Sequence, residues 1–449
     1  MLPTQAILPL LAGSLALGLA SPRHGEPDIF EYIVVGSGPG GAPLAANLAE
    51  AGHSVLVLEA GINKTGTRNQ TIPSFYGVNQ VDPEAAWFFY VKNFGNEVDE
   101  ALNEKLVYQL PNGSKYNGPD PPEGSSQLGV FYPRAGTLGG CDTHNGGIVV
   151  FPPKEDWDNI SELTGDDTWR YEHMRPYYEK IENNHHVPPG TAGHGFSGYL
   201  GVDVTEASVV EEARGTAKVF GKLDRSGSTE WETIVTNDIN NVWPSRDSDR
   251  DLYQIPFKVD KEGRRSNAAT RLNSVFHAGH PLTVRLNSLV SRVLLDHGSR
   301  ATGVEYLEGA DPHETNPGVV RRAFATREVI ITGGTCNSPQ ILLLSGIGPA
   351  EELEKHGIPV KIDLPGVGKN LQDHHEFAII DRFQQEFQMG AKCRTWQAED
   401  PCLDEWLQNG TGPYRSAGFD HLGKYTSSVA KSNTSDVVFH GGGGRYTPT

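Results

Sequence analysis

Three glycines near the start of the chain have the spacing of a phosphate-binding turn. Gly36, Gly38 and Gly41 form a GxGxxG pattern, with Ser37 inside it. The first glycine of such a turn permits a tight bend, the second lets the main chain approach a diphosphate, and the third lets the next helix pack closely. Main-chain N–H groups at the start of that helix can then bind phosphate oxygens. These four residues are therefore predicted to bind a dinucleotide.

The segments around these glycines predict the βαβ unit that would position them. Residues 31–35 form an apolar, β-branched run typical of a buried strand, residues 42–51 are rich in small helix-forming side chains, and residues 54–59 predict a second strand. Glu59 ends that strand, where a carboxylate can accept hydrogen bonds from ribose hydroxyls. A GxGxxG pattern alone also occurs in ordinary turns, but the strand, helix and carboxylate together favour dinucleotide binding. They do not distinguish FAD from NAD.

Composition and charge limit the class of protein. The 449 residues exceed one ordinary domain, and 37% hydrophobic with 21% charged residues is typical of a globular chain. There are 56 acidic and 38 basic residues, which gives a formal net charge of -18. A surface this negative repels nucleic-acid phosphates and anionic lipids, so neither is an expected partner. The charge suits a protein that acts on neutral or cationic small molecules.

The N-terminal residues 1–20 predict a signal peptide. An apolar stretch over residues 6–20 ends in Gly-Leu-Ala, small residues of the kind that precede a cleavage site, although no basic residue precedes the stretch. A transmembrane anchor is the alternative, but the stretch is short for a span and contains Gly and Ser. No later segment has a long uncharged apolar run. We therefore expect a secreted, extracellular protein with a mature start near Ser21 and no membrane anchor.

Cysteines and glycosylation sequons fit an extracellular protein. Cys393 and Cys402 flank a turn-like segment, which favours a disulfide between them in an oxidising compartment. Cys141 and Cys336 are expected to be small buried thiols. No His or Cys cluster has the spacing of metal ligands, so we predict no metal site. The sequons begin at Asn63, Asn69, Asn112, Asn159, Asn409 and Asn433.

Two longer motifs carry a family resemblance. Residues 334–348 read GTCNSPQILLLSGIG, and residues 366–374 read GVGKNLQDH. Both resemble signature segments of the glucose–methanol–choline (GMC) family of oxidoreductases, as do the shorter stretches 194–201 and 301–306. The resemblance covers about residues 31–376. It implies that the GxGxxG site binds FAD, with the flavin ring facing a pocket in a second domain.

The first of these motifs also has a purely structural interpretation. Glycines and a proline surround the apolar residues Ile341–Leu344. Without the resemblance, this pattern would favour a plain buried helix that stops at a glycine. In either interpretation we expect Ile341–Leu344 to be buried.

A third motif, residues 134–147 with the sequence RAGTLGGCDTHNGG, resembles the family segment that runs along the flavin. Gly140 and Gly146 match glycines of that segment. Asn145 falls where the family places an amide or imidazole near the reactive edge of the ring. Val290 resembles a residue of the family's adenine-contacting strand, although ordinary sheet core would give the same sequence. The resemblance implies that these four residues contact FAD.

The third motif departs from the family pattern at three positions. Cys141 and Asp142 stand where two small residues are usual, and His144 stands where an aliphatic residue is usual. The sequence GGCxxHN resembles a variant whose histidine is bonded covalently to the flavin, so His144 is a candidate for a histidyl–FAD link. Such a link would raise the flavin potential and favour hydride acceptance. The alternative is a hydrogen-bonded histidine packed beside the isoalloxazine.

The expected fold class is α/β, with a Rossmann-type FAD-binding domain and a second, α+β substrate-binding domain. β-branched runs at 282–293, 302–306 and 329–332 predict a return of the chain to the sheet. The predicted boundaries are 28–158 and 265–372 for the FAD-binding domain, about 63–130 for a polar, lid-like insertion without regular structure, and 159–264 with 373–449 for the substrate-binding domain. We expect the C-terminal part of the second domain to be incomplete.

The resemblance implies a secreted FAD-dependent oxidoreductase. It would oxidise a CH–OH group of an alcohol or sugar by hydride transfer to flavin, with oxygen or another acceptor regenerating the flavin. Family members use a C-terminal histidine as the base, since imidazole titrates near neutral pH. No matching segment is found, so the catalytic residues are unknown and we expect a shortened member. An FAD-containing hydroxynitrile lyase and a truncated flavoprotein without turnover stay open as alternatives, and the oligomeric state is not indicated.

Overall fold

A computed structural model of the protein describes residues 28–211, 237–249, 251–310, 317–374, 376, 390–395, 397–419 and 421–441. The predicted signal peptide at residues 1–20 lies outside this part of the chain. Within the described residues, no helix combines the length and apolar character needed to cross a membrane.

Helices and strands follow one another through most of the described chain. The α-helices are α1 (Gly41–Glu50), α2 (Arg68–Thr71), α3 (Tyr76–Gln80), α4 (Glu97–Ala101), α5 (Lys154–Thr164), α6 (Tyr171–Ile181), α7 (Ala207–Glu211), α8 (Ala268–His277), α9 (Gly334–Leu344), α10 (Ala350–Lys355) and α11 (Pro401–Asn409). The strands are β1 (Ile29–Val35), β2 (Val55–Leu58), β3 (Ala86–Val91), β4 (Leu106–Gln109), β5 (Lys115–Asn117), β6 (Ser126–Ala135), β7 (Glu182–Asn184), β8 (Leu200–Val204), β9 (Leu252–Tyr253), β10 (Pro256–Lys258), β11 (Leu282–Arg285), β12 (Ser288–Leu295), β13 (Ala301–Glu308), β14 (Val319–Ile331), β15 (Ile347–Gly348), β16 (Ile362–Asp363), β17 (His421–Tyr425) and β18 (Val437–Gly441). Short 3₁₀ helices lie at Pro73–Phe75, Gly140–Thr143, Asp167–Trp169 and Pro413–Arg415.

A six-stranded sheet with the order β11-β2-β1-β14-β13-β12 contains the predicted βαβ unit. The strands β11, β2, β1 and β14 are parallel neighbours, and β13 and β12 extend the sheet by antiparallel pairing. The strands predicted at 31–35 and 54–59 are β1 and β2, and the predicted return to the sheet corresponds to β11–β14. These predictions and the α/β class are confirmed.

Both faces of this sheet are covered, which explains the apolar runs of β1 and β2. Val34 and Val57 pack on one face against α1 and α8. Ile33, Val35 and Leu56 pack on the other face with side chains of β12, β13 and α9. Because successive side chains of a strand point to opposite faces, a strand covered on both sides needs no polar alternation.

Helix α1 lies close to the sheet because its buried face is made of small side chains. Ala42, Ala45, Ala46 and Ala49 are fully buried, whereas Leu44 on another side of the helix is 38% exposed. Alanine combines high helix propensity with a small volume, so the helix can form and still approach the strands closely. The start of α1 is thereby held at the end of β1.

The segment expected to be a lid-like insertion without regular structure forms a four-stranded antiparallel sheet with the order β3-β6-β4-β5. β3 pairs with β6 from Ala86 opposite Ala135 to Val91 opposite Val130. The expectation of irregular structure was wrong, because these strands are half-buried along most of their length and lack the polar–apolar alternation by which strands are recognised. A lid role for residues 63–130 stays a prediction.

The described residues also form two three-stranded sheets, with the orders β10-β8-β7 and β18-β17-β9, and the parallel pair β15-β16. The strands of the six-stranded sheet come from residues 28–158 and 265–372, and those of these two smaller sheets from 159–264 and 373–449. This arrangement is compatible with the predicted division into domains. The boundaries themselves stay a prediction.

The cysteines follow the sequence prediction in part. Cys393 and Cys402 form the predicted disulfide. Cys141 and Cys336 are free, but they are half-buried rather than buried. That prediction was wrong because both lie beyond the carboxyl ends of strands, where the surface is partly open. Of the sequon asparagines, Asn69 is half-buried, and the exposed ones are Asn63, Asn112, Asn159, Asn409 and Asn433.

Candidate functional site

The ends of the parallel strands lie in one row at the carboxyl edge of the six-stranded sheet. The register places Val35 beside Leu58 of β2 and Ile331 of β14. The next residues along the chain, Gly36 and Glu59, therefore emerge side by side. In open α/β sheets, ligands bind at this edge.

The structure explains each glycine of the GxGxxG turn in a different way. Gly36 has a φ of 93°, and a Cβ there would lie 2.5 Å from the Thr332 carbonyl oxygen. A Cβ at Gly41 would lie 2.1 Å from the Gly36 carbonyl oxygen. At Gly38 the nearest atom to a Cβ is the Gly140 Cα, at 3.8 Å. The chain's own packing requires Gly36 and Gly41, whereas Gly38 leaves room through which a ligand can approach the main chain.

The start of α1 can bind an anion. Its N-cap residue is Gly40, and no side chain in the described residues caps this end of the helix. Free N–H groups and the positive end of the helix dipole both favour phosphate oxygens. The Thr332 hydroxyl donates to the carbonyl oxygens of Val35 at 2.7 Å and Gly36 at 3.0 Å, which fixes the turn. No motif in the sequence indicates this role of Thr332.

A second glycine loop lies against the first. Gly139 and Gly140 have φ values of 98° and 58°, and a Cβ at Gly140 would lie 2.6 Å from the Gly38 Cα. The Gly139 N–H also donates to the Ser37 hydroxyl oxygen at 3.2 Å. The structure therefore brings the predicted residues Ser37, Gly38 and Gly140 together, with main chain facing main chain.

Glu59 holds the first loop through hydrogen bonds to its carboxylate. Its Oε2 accepts from the Ser37 N–H at 2.9 Å and from the Ser37 hydroxyl at 2.6 Å, and its Oε1 accepts from the Gly61 N–H at 2.9 Å. Burial raises the pKa of Glu59, and these hydrogen bonds oppose that rise. The Ala60 N–H adds a further hydrogen bond to the carboxylate. Acceptance of a hydrogen bond from a ribose hydroxyl by Glu59 stays a prediction.

His144 is a buried imidazole without a hydrogen-bonding partner. The residue is 4% exposed, and neither ring nitrogen has a partner in the described part of the chain. Burial lowers the pKa of His144 to about 4, and the positive charges of Arg134, Arg265 and Lys258 add to that effect. The ring is therefore neutral at neutral pH. Buried polar atoms are rarely left unpaired in folded proteins, so these nitrogens point to a missing contact.

Asn145 follows His144 directly and is exposed. Its Oδ1 accepts from the Gly147 N–H at 3.1 Å and from the Arg265 guanidinium at 3.2 Å. These two bonds fix the orientation of the amide and leave Nδ2 to donate outward. A Cβ at Gly146 would lie 3.7 Å from the Phe419 ring, so Gly146 is not demanded by packing.

Val290 lies in β12, opposite Tyr306 of β13. Its side chain is 5% exposed and belongs to the core on one face of the sheet. Two residues earlier, the Ser288 N–H donates to the Glu59 carbonyl oxygen at 2.9 Å, and the Asn287 N–H donates to that of Gly61 at 3.0 Å. Strand β12 therefore starts beside Glu59. Both interpretations of Val290 fit this position, and its contact with a cofactor stays a prediction.

The second signature begins at the same edge of the sheet. Helix α9 starts just after β14, and a Cβ at Gly36 would lie 3.2 Å from the Gly333 Cα. Ile341 is 5% exposed, but Leu344 is 46% exposed. The expectation that Ile341–Leu344 are all buried was wrong, because consecutive helical residues point about 100° apart and cannot all face the sheet. The exposed segment 366–374 is attached by a 2.8 Å hydrogen bond from the Tyr132 hydroxyl to Asp373.

Three buried charged residues stabilise the second loop. Asp142, Lys258 and Arg265 are 5%, 8% and 5% exposed. The sequence marked Asp142 only as a departure from the family pattern, and it gave no signal for Lys258 or Arg265. Their ionic contacts depend on the approach of segments that are distant in the sequence.

The sheet edge, the paired glycine loops and Glu59 define a dinucleotide-binding α/β protein. Comparison with known proteins then identifies the family. Residues 31–376 match the sequence family described as GMC oxidoreductase, and the chain belongs to that family. The resemblance found in the sequence is confirmed, including its extent.

Similar proteins include two that are named for choline. Mitochondrial choline dehydrogenase of Homo sapiens is 29% identical over 436 residues, covering 95% of this chain and 63% of that protein. Choline oxidase of Arthrobacter globiformis is 28% identical over 374 residues, covering 82% of this chain and 58% of that protein. A crystal structure of formate oxidase has the same fold, with a TM-score of 0.66 at 21% identity over 89% of this chain and 62% of that one. The chain spans about three fifths of the length of these proteins.

The predicted cofactor, FAD, is confirmed by membership of this family. The residues present fit it. Gly38 leaves its main chain accessible, and the two ring nitrogens of His144 have no partner among the described residues. The individual contacts of these residues with FAD stay predictions. Among the described residues, no group of His, Cys, Asp and Glu side chains could hold a metal ion.

Proposed function

We propose that this protein oxidises a CH–OH group of a small alcohol or sugar, with hydride transfer to FAD bound at the carboxyl edge of the six-stranded sheet. The observation that carries the proposal is the contact between the loops of Gly38 and Gly140 beside the unpartnered His144. Two loops whose contact requires glycine at position 140, in a segment that also carries a free imidazole, suit a flat, diphosphate-containing cofactor. Membership of the GMC oxidoreductase family supports the reaction class.

The chain's own residues would have the following roles. The main chain at Gly38 and the start of α1 bind the diphosphate, and Glu59 accepts from a ribose hydroxyl. Asn145 donates from Nδ2 into the open side of the loop. FAD, when bound, supplies the acceptor for the hydride, and oxygen or another acceptor takes the electrons onward. We assign no general base to a described residue.

We also propose that His144 forms a covalent bond to the flavin. A neutral imidazole nitrogen has a lone pair for bond formation, and the low pKa of His144 keeps the ring neutral at neutral pH. Replacing a flavin C–H bond and the imidazole N–H bond by one C–N bond would release two protons and two electrons, and oxygen or another acceptor would take up the electrons. The absence of a partner for either nitrogen within the described residues leaves both free for this bond. A histidine that merely packs against the ring is the competing role.

The experiment is a visible absorbance spectrum of the purified 449-residue chain before and after acid precipitation. We expect a yellow native protein and a yellow pellet. His144→Ala should bind FAD but release it on precipitation, leaving a colourless pellet. A yellow protein with a colourless wild-type pellet would refute the covalent bond alone, and a colourless native protein would refute the FAD site.

Substrate class and reaction type need a second measurement. Anaerobic addition of choline, glucose or an aromatic alcohol should bleach the flavin absorbance if the compound is oxidised. Choline is included because two similar proteins are named for it and because the net charge of -18 favours a cation. Turnover of a cyanohydrin with the flavin still yellow would instead indicate a lyase. No turnover by the FAD-loaded chain would indicate a flavoprotein without catalysis.

We propose that the protein is secreted. The disulfide between Cys393 and Cys402 and the exposed asparagines of most sequons support this location. Expression in a eukaryotic secretory host should deliver the protein to the medium with its N-terminus near Ser21 and with glycans removable by an endoglycosidase. Retention of the full-length chain inside the cell would contradict the proposal.

A further inference from the structure

The loop that carries His144 and Asn145 is held from outside at successive main-chain carbonyls. The Asn79 amide donates to the Thr143 carbonyl at 3.0 Å, and the Gln80 amide donates to that of His144 at 3.1 Å. Arg265 donates to the Asn145 carbonyl at 2.7 Å. The side chain of His144 takes no part in this support. The loop therefore owes its shape to residues other than the one with the free imidazole.

Arg265 makes more hydrogen bonds to this loop than Asn79 or Gln80 does. Its guanidinium also donates to the Asp142 carbonyl and to the Asn145 Oδ1, both at 3.2 Å, and to the Pro73 carbonyl at 3.4 Å. Burial lowers the pKa of Arg265 to about 10, so the group is still charged at neutral pH. One planar cation thus binds the main chain on both sides of His144 and sets the amide of Asn145. The fixed fork of an arginine suits this task, and lysine cannot reproduce it.

Asp142 and Lys258 anchor the same loop to two other elements. The Asp142 Oδ1 accepts from the Lys258 ammonium at the end of β10. Its Oδ2 accepts from the N–H of Ala268, the first residue of α8, at 2.8 Å. The Lys258 N–H donates to the Gly147 carbonyl at 2.8 Å. The ion pair therefore holds the Asp142 end of the loop segment 142–147, and the main chain of Lys258 holds the Gly147 end.

We propose that Arg265 and the Asp142–Lys258 ion pair form a positioning device for the cofactor. They hold the loop so that the His144 ring stays free and Asn145 presents Nδ2 as a donor to an acceptor atom of bound FAD. This inference rests on the proposed FAD site. The three residues need not touch the cofactor, since they act through the loop.

The test compares two buried arginines in the full chain. Arg265→Lys keeps the charge and removes the fork. Arg246→Lys is the matched control, because Arg246 is also 5% exposed and also binds carbonyls, those of Ile239 at 3.1 Å and Pro152 at 3.2 Å, outside the 142–147 loop. The readouts are FAD affinity by titration, the flavin absorbance spectrum, and amide hydrogen exchange of the 139–147 peptide without FAD.

We expect Arg265→Lys to speed hydrogen exchange in that peptide, to weaken FAD binding about tenfold or more and to shift the flavin spectrum, since a binding loop that is not preorganised must be ordered when the ligand binds. Arg246→Lys should leave all three unchanged even where it lowers the melting temperature. Unchanged exchange in Arg265→Lys, or equal changes in both variants, would overturn the positioning role. The exchange readout needs no cofactor, so a wild-type chain that takes up no FAD would refute only the proposed function.

Discussion

Gly38 and Gly140 face each other across two loops, and a Cβ on Gly140 would come within 2.6 Å of the Gly38 Cα, whereas a Cβ on Gly38 would lie 3.8 Å from the Gly140 Cα. The contact is therefore asymmetric. The packing excludes a methyl group at position 140 and tolerates one at position 38. Two alanine substitutions can then separate the needs of the fold from those of the cofactor.

Gly38→Ala should fold normally and lose FAD. Gly38 has no positive φ, so alanine is expected to change the free energy of unfolding by less than about 1 kcal/mol. The added methyl group would point into the space where the diphosphate is predicted to lie. The check is a thermal unfolding curve of the FAD-free protein together with flavin content after reconstitution.

Gly140→Ala is the companion variant. Its φ of 58° and the close contact with Gly38 should cost roughly 1–3 kcal/mol of stability, so fold and FAD binding should fall together. If Gly38→Ala retained full flavin content, the predicted path of the diphosphate along this loop would be wrong.

Acid should destabilise the FAD-free protein through His144. The pKa of this group is about 4 in the folded chain and about 6.5 when unfolded, so the unfolded state binds the extra proton between these values. The stability that the neutral His144 ring contributes to the folded state is present above pH 6.5. It is lost as the pH falls towards 4, and the loss in unfolding free energy is on the order of 3 kcal/mol. Urea unfolding at pH 7 and pH 5 measures the difference.

His144→Phe supplies the comparison for this acid effect. Phenylalanine keeps a buried ring and cannot titrate, so the variant should lose less stability than the wild type between pH 7 and pH 5. Equal losses would assign the acid sensitivity to other groups and would remove the argument for a desolvated imidazole.

The sequence predicted the first half of the site because its signals are local. The strand, the glycines at 36, 38 and 41 and the carboxylate of Glu59 occur within one βαβ unit, and each has a pattern of its own. The disulfide of Cys393 and Cys402 was also predictable, because only a short segment separates them.

The support of the second loop could not be predicted, because it depends on the approach of distant segments. Nothing around Lys258 or Arg265 in the sequence indicates that they meet the Asp142 loop. The sheet of residues 86–135 was missed for a different reason. Its strands show no polar–apolar alternation, and the short apolar runs of β3 and β6 do not distinguish a strand from a buried helix.

Alkaline pH should destabilise the protein through His194. Its Nδ1 lies 3.1 Å from Glu182 and its Nε2 lies 2.8 Å from Asp238, with the imidazole fully buried. Burial alone would lower the pKa of His194, but the hydrogen bonds to the two carboxylates outweigh it and raise the pKa to about 9. This stabilisation is complete below about pH 6.5, the unfolded pKa, and is lost as the pH rises through 9, on the order of 3 kcal/mol.

Asp238→Asn tests this interaction while keeping a hydrogen-bond acceptor in place. With one carboxylate removed, the pKa of His194 should fall, and the loss of unfolding free energy between pH 6.5 and pH 9.5 should shrink. Urea titrations at the two pH values give the numbers. A slope as steep as that of the wild type would show that other groups cause the alkaline effect.

Removing one member of the buried Asp142–Lys258 ion pair should cost more stability than removing both. Lys258→Met leaves the Asp142 carboxylate buried, with the Ala268 N–H as its remaining hydrogen-bond donor among the described residues. Removing one partner of a buried pair typically costs about 3–5 kcal/mol. The double variant Asp142→Asn with Lys258→Met removes the stranded charge. It should therefore be more stable than Lys258→Met alone, by roughly 1–3 kcal/mol.

The exposed pair of Arg321 and Glu308 is the control for this cycle. Both side chains are more than one third exposed, and a surface pair of that kind contributes at most about 1 kcal/mol. Denaturant unfolding of the FAD-free single and double variants at both sites gives the two coupling energies. A coupling at Asp142–Lys258 as small as the surface value would mean that water reaches this pair. The loop would then lack the rigid anchor from which the positions of His144 and Asn145 follow.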